Sequence, residues 1–114
     1  MNEHRERIKS ESIVERIVRE VMSLPGVTAE SHRGGMIFFH LGRREIGHLH
    51  GDRLADLPFP VRIREKLVAE EKADVHYLHP KTGWVSYYIR SEKDVDAIVE
   101  LFRFNFSRPW LTDK

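Results

Sequence analysis

MIFFHLGRREIGHLHGDRLADLPFP, residues 36 to 60, is the stretch on which the fold is decided. MIFFHL (36–41) and EIGHLH (45–50) are apolar and aromatic runs on either side of a glycine, so they read as an antiparallel hairpin. GDRLADLPFP (51–60) carries a glycine, two aspartates and two prolines and reads as a loop.

Outward from this hairpin, residues 4–24 read as an amphipathic helix. Ile8, Ile13, Ile17, Val21 and Leu24, joined by Val14 and Val18, recur at spacings of three and four, and Pro25-Gly26 ends the pattern. VTAESH (27–32) reads as a short strand before Gly34-Gly35. Downstream, Pro60 can open a helix reaching about Glu71, with Ile63, Leu67 and Val68 inward. ADVHYLHP (73–80) and GWVSYYIR (83–90) form a second hairpin across Pro80-Lys81-Thr82-Gly83. Ser91 and Asp94 make a capping box for a last helix, whose stripe is Val95, Ile98, Val99, Phe102 and Phe106 and which stops before Pro109. The order α-β-β-β-α-β-β-α predicts a single α+β domain over residues 1–114. Its sheet is mostly antiparallel, of about five strands, with helices packed on it.

Composition narrows the function classes. Nineteen basic and eighteen acidic residues leave a net charge of +1, which gives no global attraction for nucleic acid or an anionic membrane. The absence of cysteine excludes disulfides, thiolate zinc sites and cysteine nucleophiles. No secretory-length apolar core opens the chain and no run approaches about 18 apolar residues, so a cytoplasmic protein without a membrane span is expected. Thirteen arginines against six lysines, with no glutamine, fit a thermophile or a GC-rich genome.

Chemistry concentrates between residues 45 and 60. Strand side chains alternate, so His48 and His50 project from one face with backbones about 6.5–7 Å apart, close enough for two imidazoles to share an ion. Asp52 and Asp56 follow, and His79 and Trp84 could form an opposite wall if the second hairpin packs nearby. A two-residue Gly42-Arg43 turn pairs Phe39 with Ile46 and Ile37 with His48 and leaves His40 on the other face. A three-residue turn brings His40 to the face of His48 and His50. Glycine at the first turn position favours the former. In the second hairpin, a four-residue turn at 80–83 places Val75, Tyr77, His79, Trp84, Ser86 and Tyr88 on one face. His76, Leu78, Val85, Tyr87 and Ile89 then lie on a more core-like one.

The site residues expected for a small ligand are therefore His48, His50, Asp52, Asp56, His79 and Trp84. His48 and His50 are also the candidate ligands for zinc or another divalent metal, without a third ligand that spacing alone can fix. A hydrolase or lyase using these groups as acid and base is the enzymatic version. The alternative from a different class is an interaction module. It would bind protein or nucleic acid through the sheet edge and the arginines that flank the hairpin, Arg33, Arg43, Arg44 and Arg53, although the near-neutral charge argues against nucleic acid. A homodimer closing over the aromatic face is a third arrangement. No phosphate-binding glycine loop or nucleophile elbow is present.

Several ordered motifs carry a family likeness: Glu45-Ile46-Gly47-His48-Leu49-His50, Asp56-Leu57-Pro58-Phe59-Pro60, Gly83-Trp84-Val85-Ser86 and the closing Asp94-Val95 helix. Through them the chain resembles the bacterial and fungal luciferase-domain family over about residues 24–108, with 25–108 as the family core and 1–24 as an added helix. The resemblance implies no catalytic residues. It does not extend to the flavin-dependent luciferases, whose barrel needs more than twice this length. A weaker resemblance, to the MmcQ/YjbR-like proteins, rests on LPGV after the first helix, the tryptophan-led strand and the ELFRFNF helix. It implies an α+β fold with an antiparallel sheet and a DNA-binding role proposed on fold grounds, which the charge balance weakens.

Overall fold

The computed structural model describes residues 11–112. Its elements are helix α1 (Ile13–Met22), strands β1 (Val27–Ser31), β2 (Met36–Leu41), β3 (Arg44–His50) and β4 (Leu54–Pro58), helix α2 (Val61–Ala69), strands β5 (Asp74–Val75) and β6 (Trp84–Tyr88), and helix α3 (Val95–Ser107). Short 3-10 turns occupy Arg33–Gly35, Glu92–Asp94 and Pro109–Thr112. The strands form one six-stranded sheet in the order β1-β2-β3-β4-β6-β5, with every neighbouring pair antiparallel. The fold is α+β.

The stretch expected as a loop contains a central strand. Leu54–Pro58 lies between β3 and β6, joined to β3 by a turn at Gly51-Asp52-Arg53. Both prolines of the stretch fall where a strand tolerates them. Pro58 is the last residue of β4 and Pro60 the N-cap of α2, so neither interrupts the ladder. The sheet thereby gains its sixth strand.

Helix boundaries follow capping chemistry. The expected helix over 4–24 starts at Ile13 within the described residues, because Ser12 is extended (φ −72°, ψ 165°) and shares a capping box with Glu15. The part of that expectation over residues 4–10 lies outside the described residues. The Ser91–Asp94 box forms as expected and leads through a 3-10 turn into α3. That helix ends at Arg108 in the left-handed region, just ahead of Pro109.

The helices cover one face of the sheet. Phe39, Ile46, Leu49, Ala55, Leu57 and Val85 point into that core, against Ile17 and Val21 of α1, Ile63 and Leu67 of α2, and Val95, Ile98, Val99 and Phe102 of α3. The alternate residues of β2, β3, β4 and β6 face the other way, and that face carries the polar side chains.

Candidate metal centre

One row of residues crosses the sheet on the face away from the helices. Read through the strand pairings, it runs Glu30, Phe38, His48, Asp56, Ser86 and Asp74, one from each of the six strands. Its centre is Asp56, which is fully buried although its strand face is not covered by a helix. An isolated buried carboxylate would be very costly, so its partners are the informative part.

Four side chains converge on that carboxylate. Ser86 Oγ donates to Oδ1 at 2.6 Å. At Oδ2 lie His50 Nε2 at 2.8 Å, His76 Nε2 at 3.3 Å and His48 Nε2 at 3.5 Å. Burial works to raise the Asp56 carboxyl, but hydrogen bonds from His48, Ser86 and His50 and the nearby His76 outweigh it and hold it below the usual aspartate range.

His48 is gripped from both sides. Its Nδ1 meets Glu45 Oε2 at 2.6 Å, while Nε2 faces Asp56. Burial opposes its charge, yet the hydrogen bonds to Asp56 and Glu45 prevail and push it up to about 9. Glu45 reaches His48 because of a β-bulge. The two-residue turn forms as expected, with Leu41 opposite Arg44. The register then slips between Phe39 and His40, so Phe39 pairs with Gly47 rather than Ile46, and His48 faces Phe38 rather than Ile37. The extra residue, Ile46, points into the core and leaves Glu45 and His48, three apart, on one face. By alternation from Phe38, His40 shares that face instead of being excluded from it.

Two residues that spacing did not flag hold the bulge. Gly47 has φ 147°, and a Cβ there would lie 2.6 Å from the Phe102 ring and 2.9 Å from Leu57 Cγ. Buried Asn105 of α3 donates from Nδ2 to the Ile46 carbonyl at 3.0 Å and accepts from Arg44 at 3.2 Å. A glycine inside a run that otherwise reads as a strand was the available signal. Asn105 gave none, since it sits among phenylalanines on a helix.

His76, like His40, is a residue that the sequence placed on the other face. The second hairpin pairs Asp74 with Ser86 and Val75 with Val85, so its connection spans residues 76–83 and not a four-residue turn. This register sends Val75 to the side of core residue Val85 and His76 to the side of Asp56, the reverse of the expected faces. His79 moves out accordingly: it is exposed and stacks on His76 at 5.2 Å. Gly83 fixes where β6 begins. Its carbonyl accepts from the Phe59 amide at 3.1 Å, and a Cβ at this position would fall 1.6 Å from the Phe59 carbonyl oxygen.

The remaining expected site residues divide. Trp84 stands beside His48, with ring centroids 5.4 Å apart. Asp52 is exposed in the turn between β3 and β4 and is not part of the His48, His50 and Asp56 group. The arginines do not gather into one patch. Arg43 and Arg44 lie at the Gly42 end of the hairpin, Arg33 and Arg53 at its other end, and Arg44 is occupied by the Asn105 and Phe106 carbonyls. A cavity of about 670 Å³ lies on the helical side between α2 and α3, and its lining includes no histidine.

Among the described residues, His48, His50 and Asp56 each offer a ligand atom, all within 4.8 Å of one another. Donors around a tetrahedral zinc lie about 3.4 Å apart, given metal–donor bonds of about 2.0–2.2 Å, so a modest contraction would seat an ion. Glu45 on the far nitrogen of His48 and Ser86 on the far oxygen of Asp56 are the outer contacts that orient such ligands. His76 does not belong to the set. Its Nδ1 is already occupied, accepting the amide protons of Leu78 and His79 at 3.1 and 3.2 Å, while Nε2 lies 3.3 Å from Asp56 Oδ2.

A family model described as Luciferase domain matches residues 43–105, more than half of the chain. That span contains the bulge, the three ligand atoms, His76 and Asn105. No curated protein and no solved structure matches the chain.

Proposed function

The chain belongs to the luciferase-domain family, and from that premise we propose that it is a small-ligand binding domain built around a divalent first-row transition metal. His48 Nε2, His50 Nε2 and Asp56 Oδ2 are the ligands. The observation that carries this reading is the convergence of three ligand atoms within 4.8 Å around a fully buried carboxylate. The Glu45 contact adds to it, because a carboxylate on Nδ1 keeps the proton there and leaves Nε2 free for the ion.

Two imidazoles and a carboxylate suit zinc, and they equally suit iron(II) with open positions. Either leaves coordination sites for a small molecule, and either supports a hydrolase or lyase in which the ion polarises a bound oxygen. Binding must displace a proton from the raised His48 imidazole, so affinity should climb with pH, about tenfold per unit from neutrality to about 9.

The test is elemental analysis of protein purified without chelator, followed by zinc titration at pH 7 and 8. About one ion per chain is expected. Uptake should disappear in His48→Ala and His50→Ala and fall at least a hundredfold in Asp56→Asn, with circular dichroism unchanged. Equal zinc affinity in the wild type and the His48→Ala/His50→Ala double variant would overturn the reading.

A further inference from the structure

The ring side chains around the donor set restrict what can approach it. Phe38 of β2 lies 4.8 Å from the His48 ring on one side and Trp84 of β6 lies 5.4 Å away on another. Both keep part of their surface open. The 76–83 connection adds Tyr77, stacked on His76 at 4.8 Å and 53% exposed, and Leu78, 63% exposed. A site for a small hydrated anion would be lined by donors and charges. Here Glu45 and Ser86 are already engaged with the ligand side chains, and the partly open rings beside them are the aromatic ones of Phe38, Trp84 and Tyr77.

We infer that the ligand is a planar aromatic molecule bearing an oxygen donor, its ring against Phe38 and Trp84 and its donor on the ion. This rests on the metal reading above and deepens it. Aromatic faces attract in offset or edge-on geometries, and both rings flank His48, one of the two histidines that would hold the ion. The donor head therefore does not have to leave the metal for the ring to stack. An aliphatic molecule with the same head would gain the coordination bond and little more.

Paired hydroxamates separate the two contributions, because benzohydroxamate and acetohydroxamate chelate through the same atoms and differ in the ring. Calorimetry on the zinc-loaded full chain should give benzohydroxamate an advantage of about three- to tenfold. Trp84→Leu and, independently, Phe38→Leu should erase most of that advantage while zinc stoichiometry and acetohydroxamate affinity stay unchanged. Two variants are used so that a folding defect in one does not decide the matter. Equal affinity for the two probes overturns the inference and leaves the metal site standing, as does a preference that survives in both ring variants. A chain that takes up no zinc overturns both.

Discussion

On the helix-covered face of the sheet, Phe39, Ile46, Leu49, Leu57 and Val85 are fully buried by apolar packing; on the opposite face, Asp56 and Ser86 are equally inaccessible but are held by hydrogen bonds and imidazoles. The two burials obey different rules. Apolar packing is nearly non-directional, pH-independent and graded in its response to lost volume. A buried carboxylate is worth having only while every partner stays in place. Stability should therefore reside mainly on the first face and pH sensitivity on the second.

The largest expected effect tests the first half of that contrast. Phe102 of α3 is fully buried, packs edge-on against Phe39 at 5.1 Å, and contacts Gly47 from the core side. Phe102→Ala should cost about 3–5 kcal/mol in urea unfolding, without altering the zinc stoichiometry of the folded fraction. A loss below about 1 kcal/mol would mean that the helical face is not where the domain keeps its stability.

The second prediction tests the polar face through pH. His48 is raised from 6.5 to about 9, so its contribution to the metal-free protein is complete below about pH 6.5 and disappears as pH rises through about 9. At about 1.4 kcal/mol per pKa unit, the loss amounts to about 3 kcal/mol. Asp56 has the opposite sign: its carboxyl is depressed, so its contribution is present above the ordinary value of 3.8 and fades as pH falls below it. Thermal melts of metal-free protein should drop between pH 7 and 9.5, and Glu45→Gln should shrink that drop. A flat profile over this range would show that His48 is not charged in the folded state.

What the sequence revealed follows the same division. Period-two and period-three-to-four patterns exposed the core, since Ile17, Val21, Ile63, Leu67, Val95, Ile98 and Phe102 are apolar for one reason and recur at one spacing. Strand β2 was legible to the residue, and the alternation that puts His48 and His50 on one face needed no tertiary information. What escaped was register. One bulge at Ile46 and one eight-residue connection decide that Glu45 and His76, and not His79, approach the histidine pair. Both depend on contacts distant in sequence, Asn105 with Ile46 and Phe59 with Gly83, which no local pattern encodes. Strand β4 was hidden for a simpler reason: LADLP is short and bounded by turn residues, and only its partners on both sides make it a strand.

The smallest effect is the sharpest check on where the polar face ends. Asp52 and His79 belong by residue type with His48, His50 and Asp56, and both are exposed. Asp52 stands in the turn after β3. His79 reaches the site through its backbone amide, donated to His76 Nδ1 at 3.2 Å, a bond that removing its side chain leaves intact, and through an exposed ring stacked on His76 at 5.2 Å. Asp52→Ala and His79→Ala should therefore each change stability by no more than about 0.5 kcal/mol and leave zinc affinity within about twofold. His76→Ala should behave differently, because it takes the imidazole beside buried Asp56 and the acceptor of two amides away at once. If His79→Ala matched His76→Ala in its effect on zinc, the 76–83 connection would have to bring the later imidazole inward when the ion binds. The boundary between buried network and exposed loop would then be set by the ion and not by the register of β5 and β6.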